Sequence, residues 1–168
     1  GWSTDGSTKV EFTDDVTVPV GGVTYIAILT PASGTAYTVE TYVMNTTGVG
    51  YAKSAETKYA VTGTVINFAP TDKEGFTLNT EKSVLEGTVT GDGKMVIKVF
   101  YDRNKVKVTI DGTEGEYFYG STIEKEDPTP DPGYTFEGWE DEDGNTVTFP
   151  MTVPSEDIKV TPVYKPIK

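Results

Sequence analysis

The densest run of chemically capable side chains is acidic: Glu140-Asp141-Glu142-Asp143-Gly144-Asn145 gathers oxygen donors around one glycine. A calcium loop needs alternating ligands and a later bidentate glutamate at fixed spacing. This run has neither, so it reads as a solvated hairpin tip, and Asp14-Asp15 reads the same way. A second chemistry would be a Lys–Asn isopeptide cross-link formed beside a buried acid. Lys105 and Asn145 are available for it, but no spacing selects a triad. A third is aromatic stacking on carbohydrate by Trp2, Trp139, Tyr134 and Phe136. In a small module those rings serve more readily as core or inter-module packing. Tyr134 and Phe136 alternate with Trp139, so a regular strand puts the indole on the opposite face unless a bulge returns it.

Histidine and cysteine are both absent. That excludes disulfides, thiolate chemistry, histidine bases and the usual zinc sites. Serine, threonine and acids abound, but no nucleophile elbow or triad can be assembled from them. A paired-carboxylate glycosidase needs a deep cleft, which modules of this size seldom offer. The expectation is a chain with no catalytic residue, cofactor or metal, and with ligand-binding residues unknown. Net charge is −12, from 14 basic and 26 acidic residues, with Arg103 the one arginine. Such a field repels nucleic acid and anionic membrane. No apolar run approaches the roughly 18 residues needed to span a bilayer, so no membrane insertion is expected in this segment.

The elements that would carry these residues are strands. Alternation of apolar and polar positions marks residues 9–12, 23–29, 37–44, 51–61, 94–101, 105–110, 134–139, 146–149 and 158–164. Gly91-Asp92-Gly93 signals a hairpin between residues 87–90 and 94–101. Asn79 or Thr80 would cap a single helical turn over 79–85. Pro128, Pro130 and Pro132 exclude regular structure from 126 to 133 and make a stiff extended crossover. Pro162 argues that the closing strand lies at an edge.

The chain also repeats itself. Gly1-Trp2 and ten following residues return as Gly138-Trp139 and its successors, with Val10 and Phe12 on Val147 and Phe149. After a two-residue slip, Thr17-Val18-Pro19 falls on Thr152-Val153-Pro154, and Val23, Tyr25 and Ile28 fall on Ile158, Val160 and Val163. Self-similarity of this kind marks a modular array, and it implies that residue 1 falls midway through a copy. A weaker correspondence joins GTVI at 63–66 to GSTI at 120–123, and Gly75-Phe76-Thr77-Leu78 to Gly133-Tyr134-Thr135-Phe136.

On these motifs, residues 105–168 resemble the Listeria–Bacteroides repeat, or internalin B-repeat. The matching runs are VKVTIDG, YGSTI, PDPGYTFEGW and IKVTPVYK. The family's closing alanine-lysine-tryptophan run is replaced here by Val163-Tyr164-Lys165. Residues 1–30 resemble the second half of another copy. Residues 35–104 resemble a mucin-binding-protein-type repeat in AYTVETYVMN, VTGTVINFAP, KEGFTLNTEKSVLEGTVTGDG and MVIKVFYDRN. These resemblances imply small β-grasp or ubiquitin-like folds in stalks of Gram-positive surface proteins, and neither carries a catalytic residue to transfer.

The expectation is therefore a mainly β chain, α+β at most, of tandem small β-grasp modules in an elongated array. A half module spans 1–30, a mucin-binding-type module 31–104 and a B-repeat-type module 105–168. The motif residues Trp2, Gly75, Phe76, Gly133, Tyr134, Phe136, Gly138 and Trp139 are expected to be structural. The function expected is a non-catalytic, extracellular stalk that presents another domain, whose partners are neighbouring modules of the same chain. The alternative is an adhesin binding host mucin, glycan or protein, with Tyr37, Tyr42, Tyr51 and Tyr59 as its aromatic patch; alternation separates Tyr37 from Tyr42. Unpaired strands of the half module offer a third route, homotypic assembly.

Overall fold

A computed structural model describes residues 1–12 and 17–168; Asp14-Asp15 lies outside the described residues. Among them there is no helix. The strands are β1 (Trp2–Ser3), β2 (Ile26–Ala27), β3 (Thr35–Met44), β4 (Tyr51–Ala60), β5 (Val65–Asn67), β6 (Phe76–Leu78), β7 (Glu86–Thr88) and β8 (Val96–Arg103). They continue as β9 (Lys105–Ile110), β10 (Thr113–Phe118), β11 (Thr122–Ile123), β12 (Tyr134–Asp141), β13 (Thr146–Val147), β14 (Met151–Thr152) and β15 (Ile158–Pro166).

Two sheets share one topology. The central sheet has the order β4-β3-β8-β6, with β3 and β8 parallel in the middle and antiparallel strands outside. The C-terminal sheet has the order β10-β9-β15-β12-β13, with β9 and β15 parallel in the same places. This is the β-grasp arrangement. The crossover that a full β-grasp makes helical is extended in both units and pinned by a two-residue or three-residue ladder: β5 on β7, and β11 on β14. The weaker internal correspondence of the sequence lies on these elements, because GTVI and GSTI open the ladders while Gly75 and Gly133 precede β6 and β12.

Each sheet owns a core. Alternation along β3 and β8 sends Tyr37, Val39, Ile97, Val99 and Tyr101 inward against Val89 and Met95. In the C-terminal unit Val106, Val108 and Ile110 of β9 meet Ile123, Trp139, Met151, Val153 and Val160. Full burial of one such aliphatic side chain stabilises by about 1.5–3 kcal/mol.

Three local expectations need correction. Gly91-Asp92-Gly93 turns the chain, with Gly93 N donating to Thr90 O, but joins no hairpin. The strand before it, β7, pairs with β5, and Val89 exchanges backbone bonds with residues 63 and 64, which carries its side chain under the core. Second, β15 lies inside its sheet, between β9 and β12. Pro162 is tolerated because the parallel pairing with β9 ends at Val160, leaving the proline side of the strand free. Third, residues 9–12 and 23–29 form less strand than their alternation suggests: β2 spans two residues and Val10 makes one isolated bridge to Trp2. The capped turn is realised, with Asn79 Oδ1 accepting from Lys82 N and Ser83 N donating to Asn79 O.

Candidate functional site

The most closely engineered place among the described residues is the junction between the two sheets. β8 runs into β9 with Asn104 as the sole intervening residue. Asn104 N donates to Gly75 O on the central side, and its carbonyl accepts from Tyr119 N on the other. Its side-chain oxygen accepts from the Thr77 hydroxyl at 2.7 Å. A connection whose backbone N–H, backbone carbonyl and side-chain oxygen are all engaged has little freedom to swivel.

Arg103, the last residue of β8, adds a fork across the joint. Its Nε donates to the carbonyl of Met44 at 3.1 Å, and its Nη1 to the carbonyl of Tyr119 at 2.6 Å. Met44 ends β3 and Tyr119 follows β10, so one guanidinium ties the two sheets. The same group lies 4.7 Å from the Phe76 ring centroid and 6.0 Å from that of Tyr119, a cation–π arrangement that suits a planar cation. Phe76 and Tyr119 meet edge to face at 5.8 Å. The Ser155 hydroxyl donates to Glu74 Oε1, adding a polar contact at the rim.

Two glycines make room for the rings. Gly75 has φ of +75°, and a Cβ there would stand about 2.1 Å from the Tyr119 ring. Gly48, at φ +74°, would meet the Phe118 ring at 2.2 Å. Both positions need glycine for backbone conformation and for space. Sequence reasoning placed Gly75 and Phe76 in a structural motif but missed Arg103, which it used only to argue against nucleic acid. The available signal was a lone arginine directly before the Asn104 boundary.

The other motif residues fall elsewhere. Along β12, Phe136 pairs with Tyr164 but Gly138 with Val163, so Glu137 is the extra residue of a bulge, and Gly138 adopts φ +143°. The bulge returns Trp139 to the face of Phe136. The indole is 3% exposed, edge-on to Phe136 at 5.7 Å and Phe149 at 5.4 Å, with Nε1 donating to Asp127. Tyr134 is 46% exposed beside Tyr164 and contributes nothing to that core. Gly133 is the counterpart of Gly75: its carbonyl accepts from Ile167 N, as that of Gly75 accepts from Asn104 N, but nothing lies within 4 Å of a Cβ built there.

Residues 1–3, 10 and 26–28 repeat part of the C-terminal register. Trp2 pairs with Ala27 and bridges Val10, as Trp139 pairs with Pro162 and Val147. Gly1 exchanges bonds with Ile28, the counterpart of Val163. Yet Trp2 is 48% exposed.

The remaining candidates are not assembled into a site. Asp141 accepts from Asp143 N, Asn145 N and Asn145 Nδ2, so this carboxylate folds the hairpin tip around itself. Those bonds, that from the Asn145 side chain foremost, hold its pKa below the usual carboxylate range. Among the described residues no cluster of three or more acids is placed to hold a metal. Lys105 faces Glu116, whereas Asn145 is bound to Asp141, so the structure does not bring the isopeptide pair together. Tyr37 is in the core and Tyr59 stands alone at 69% exposure. Tyr42 and Tyr51 cluster with Phe100 on the outer face of the central sheet: Tyr42 stacks on Phe100 at 4.2 Å and Tyr51 meets it edge-on at 5.1 Å.

Residues 103–168 match the family model of the divergent InlB B-repeat domain. The match opens at Arg103, the residue that clamps the junction. No curated protein matches the chain significantly.

Proposed function

We propose that this chain is a non-catalytic spacer from a bacterial cell-surface protein, a segment of stalk that holds another domain away from the wall. The observation that carries the reading is the junction: one intervening residue, an arginine fork and two ring-filled glycine sockets set neighbouring units at a fixed angle. A swivelling linker would need none of these. Extension supports the same reading, since the chain exposes 11423 Å² where a compact protein of 18.2 kDa exposes about 8,100 Å². The B-repeat match of residues 103–168 supports an extracellular setting and a unit that begins near the Asn104 joint.

Adhesion by the central unit is the second reading, favoured by its likeness to mucin-binding-type repeats and by the Tyr42–Phe100–Tyr51 cluster. Sugar recognition by stacking needs a bare ring face. Tyr42 gives one face to Phe100 and has the Lys53 ammonium over its ring, while Lys82 lies 4.8 Å from the Tyr51 centroid. The cluster is closed by its own neighbours, which favours the spacer. Saturable binding of mucin or glycan to the full chain, lost on Tyr42→Ala, would reverse that preference.

The spacer reading is tested by distance. The absence of cysteine allows clean spin labelling at Ser54→Cys and Lys159→Cys, one on each sheet. A single narrow distribution is expected, broadened by Arg103→Ala and more so by Gly-Gly-Ser inserted after Asn104. A broad distribution in the parent chain would overturn the reading.

A further inference from the structure

The two sheets treat their open edges differently. In the C-terminal sheet β10 is the outer strand, and its Glu114 and Glu116 are bridged to Lys107 and Lys105. A second β10 laid antiparallel about Gly115 would set Glu114 against Glu116, and about Glu116 would set that residue against itself. Where β15 runs on past its pairing with β9, Val160 O accepts from Asp111 N, so the even-numbered residues face the open side. Pro162 and Pro166 take the places on either side of Tyr164 there, and neither has an N–H to offer. Opposed like charges and prolines keep edges from pairing.

The central sheet leaves its edge open. β4 runs from Tyr51 to Ala60 without a proline, residues 52–57 are exposed, and among the described residues no strand pairs with its outer side. Gly50 O accepts from Asn45 N, so the even-numbered residues of this strand bond to β3. The N–H and C=O groups of Tyr51, Lys53, Ala55, Thr57 and Tyr59 therefore point off the sheet. Glu56 and Lys58 lie opposite Val39 and Tyr37, on the core-facing side, and bridge each other at 3.1 Å. Tyr59 stands on the other face, 69% exposed.

We infer that β4 is a pairing edge for a second copy of this chain, joined antiparallel about a two-fold axis at Thr57. The pleat admits only registers centred on a residue, and the side chains choose among them. Centred on Glu56 or Lys58, the two strands oppose like charges. Centred on Ala55, they set Glu56 on Ser54 and pair no charges. Centred on Thr57, they set Glu56 of each copy on Lys58 of the other, in the closely spaced positions where cross-strand pairs interact best. In that register Tyr59 lies over Ala55 of the second copy, and the main-chain groups of 55, 57 and 59 complete the ladder. β3 ends in the joint at Met44 and β4 runs back from it, so the paired copies point in opposite directions. The pairing stands on this edge alone and does not depend on the spacer reading.

Sedimentation equilibrium of the full chain tests the pairing: the mass should rise with concentration from 18.2 kDa toward twice that value. Glu56→Lys and Lys58→Glu each place like charges across the seam at both positions, and each should weaken dimerisation about tenfold or more. Mixing the two variants puts Lys against Glu again and should restore a mixed dimer, which a general loss of stability would not do. Thr57→Pro removes an N–H that points off the sheet and leaves the β3 ladder intact. It should abolish pairing with far-ultraviolet circular dichroism unchanged. A spin label at Ser54→Cys, in a chain otherwise free of cysteine, should report a backbone separation between copies of about 20 Å, the span from residue 54 to residue 60 along a strand. A chain that stays monomeric into the millimolar range would overturn the proposal. So would a dimer that survives Thr57→Pro, or charge variants that fail to recover on mixing.

Discussion

Trp2 and Trp139 occupy the same place in the same three-strand register, and they live in opposite environments. Both follow a glycine, both pair across to a residue in the closing strand, and both bridge a valine eight residues on. One indole is at the centre of a core and the other is half in water. Pairing register is therefore written locally, in the hairpin and its closing strand. Burial is written at a distance: Val106, Val108 and Ile110 of β9, Ile123 of β11 and Met151 of β14 share the core of Trp139. A second contrast runs parallel to it. Gly75 and Phe76 receive Tyr119 and Arg103, whereas their counterparts Gly133 and Tyr134 stand open.

The widest gap between the two copies should appear on truncating each tryptophan. Trp139→Ala removes the largest side chain of its core and is expected to cost about 3–5 kcal/mol, read as a lower denaturant midpoint with near-ultraviolet circular dichroism. Trp2→Ala should cost less than about 1 kcal/mol, in keeping with an exposed position. Equal losses would mean that residues 1–30 already bury Trp2 in solution.

Much of this arrangement was readable before any coordinates, for definite reasons. The alternation in residues 37–44 and 105–110 marks strands with one buried face, and the repeat offsets set Trp2 and Val10 on Trp139 and Val147 without saying that each pair bridges. The face of Trp139 was not readable, because alternation alone points it away from Phe136. Only the bulge at Glu137, permitted by Gly138 at φ +143°, reverses it. Gly91-Asp92-Gly93 misled because a turn signal says that the chain reverses, not which strand receives it. The junction was invisible for a deeper reason: its bonds run from Arg103 to backbone carbonyls of Met44 and Tyr119. A carbonyl acceptor leaves no trace in residue type.

The second contrast predicts the next largest effect. Gly75→Ala forces a Cβ into the Tyr119 ring, costing about 1–3 kcal/mol for crowding, on top of about 1–2 kcal/mol for a left-handed backbone. It should also widen the spin-label distance distribution across the joint. Gly133→Ala, at φ +93° with open space around it, carries only the backbone part, about 1–2 kcal/mol. If the two substitutions cost the same, Tyr119 does not sit in the glycine socket and the joint is looser than described.

The smallest effect separates the two hairpin tips. Asp5 accepts bonds from Thr8 N, Ser3 Oγ, Ser7 N and Thr8 Oγ1, and Asp141 from Asn145 Nδ2, Asn145 N and Asp143 N. Both carboxyls are held below their ordinary values, Asp5 chiefly by the Thr8 backbone bond and Asp141 chiefly by the Asn145 side chain. A lowered folded pKa means that the stabilisation is complete above the unfolded value, near about 3.9, and is lost as pH falls through the folded one. Each tip should therefore hold at pH 5 and loosen only in stronger acid, followed residue by residue from carboxyl carbon shifts. Asn145→Ala should raise the Asp141 midpoint toward the ordinary value and leave Asp5 where it was. The tips then differ in a way the strands do not: the same register closes over two unrelated turns, each built on its own carboxylate. A common shift in both tips would mean that they are coupled.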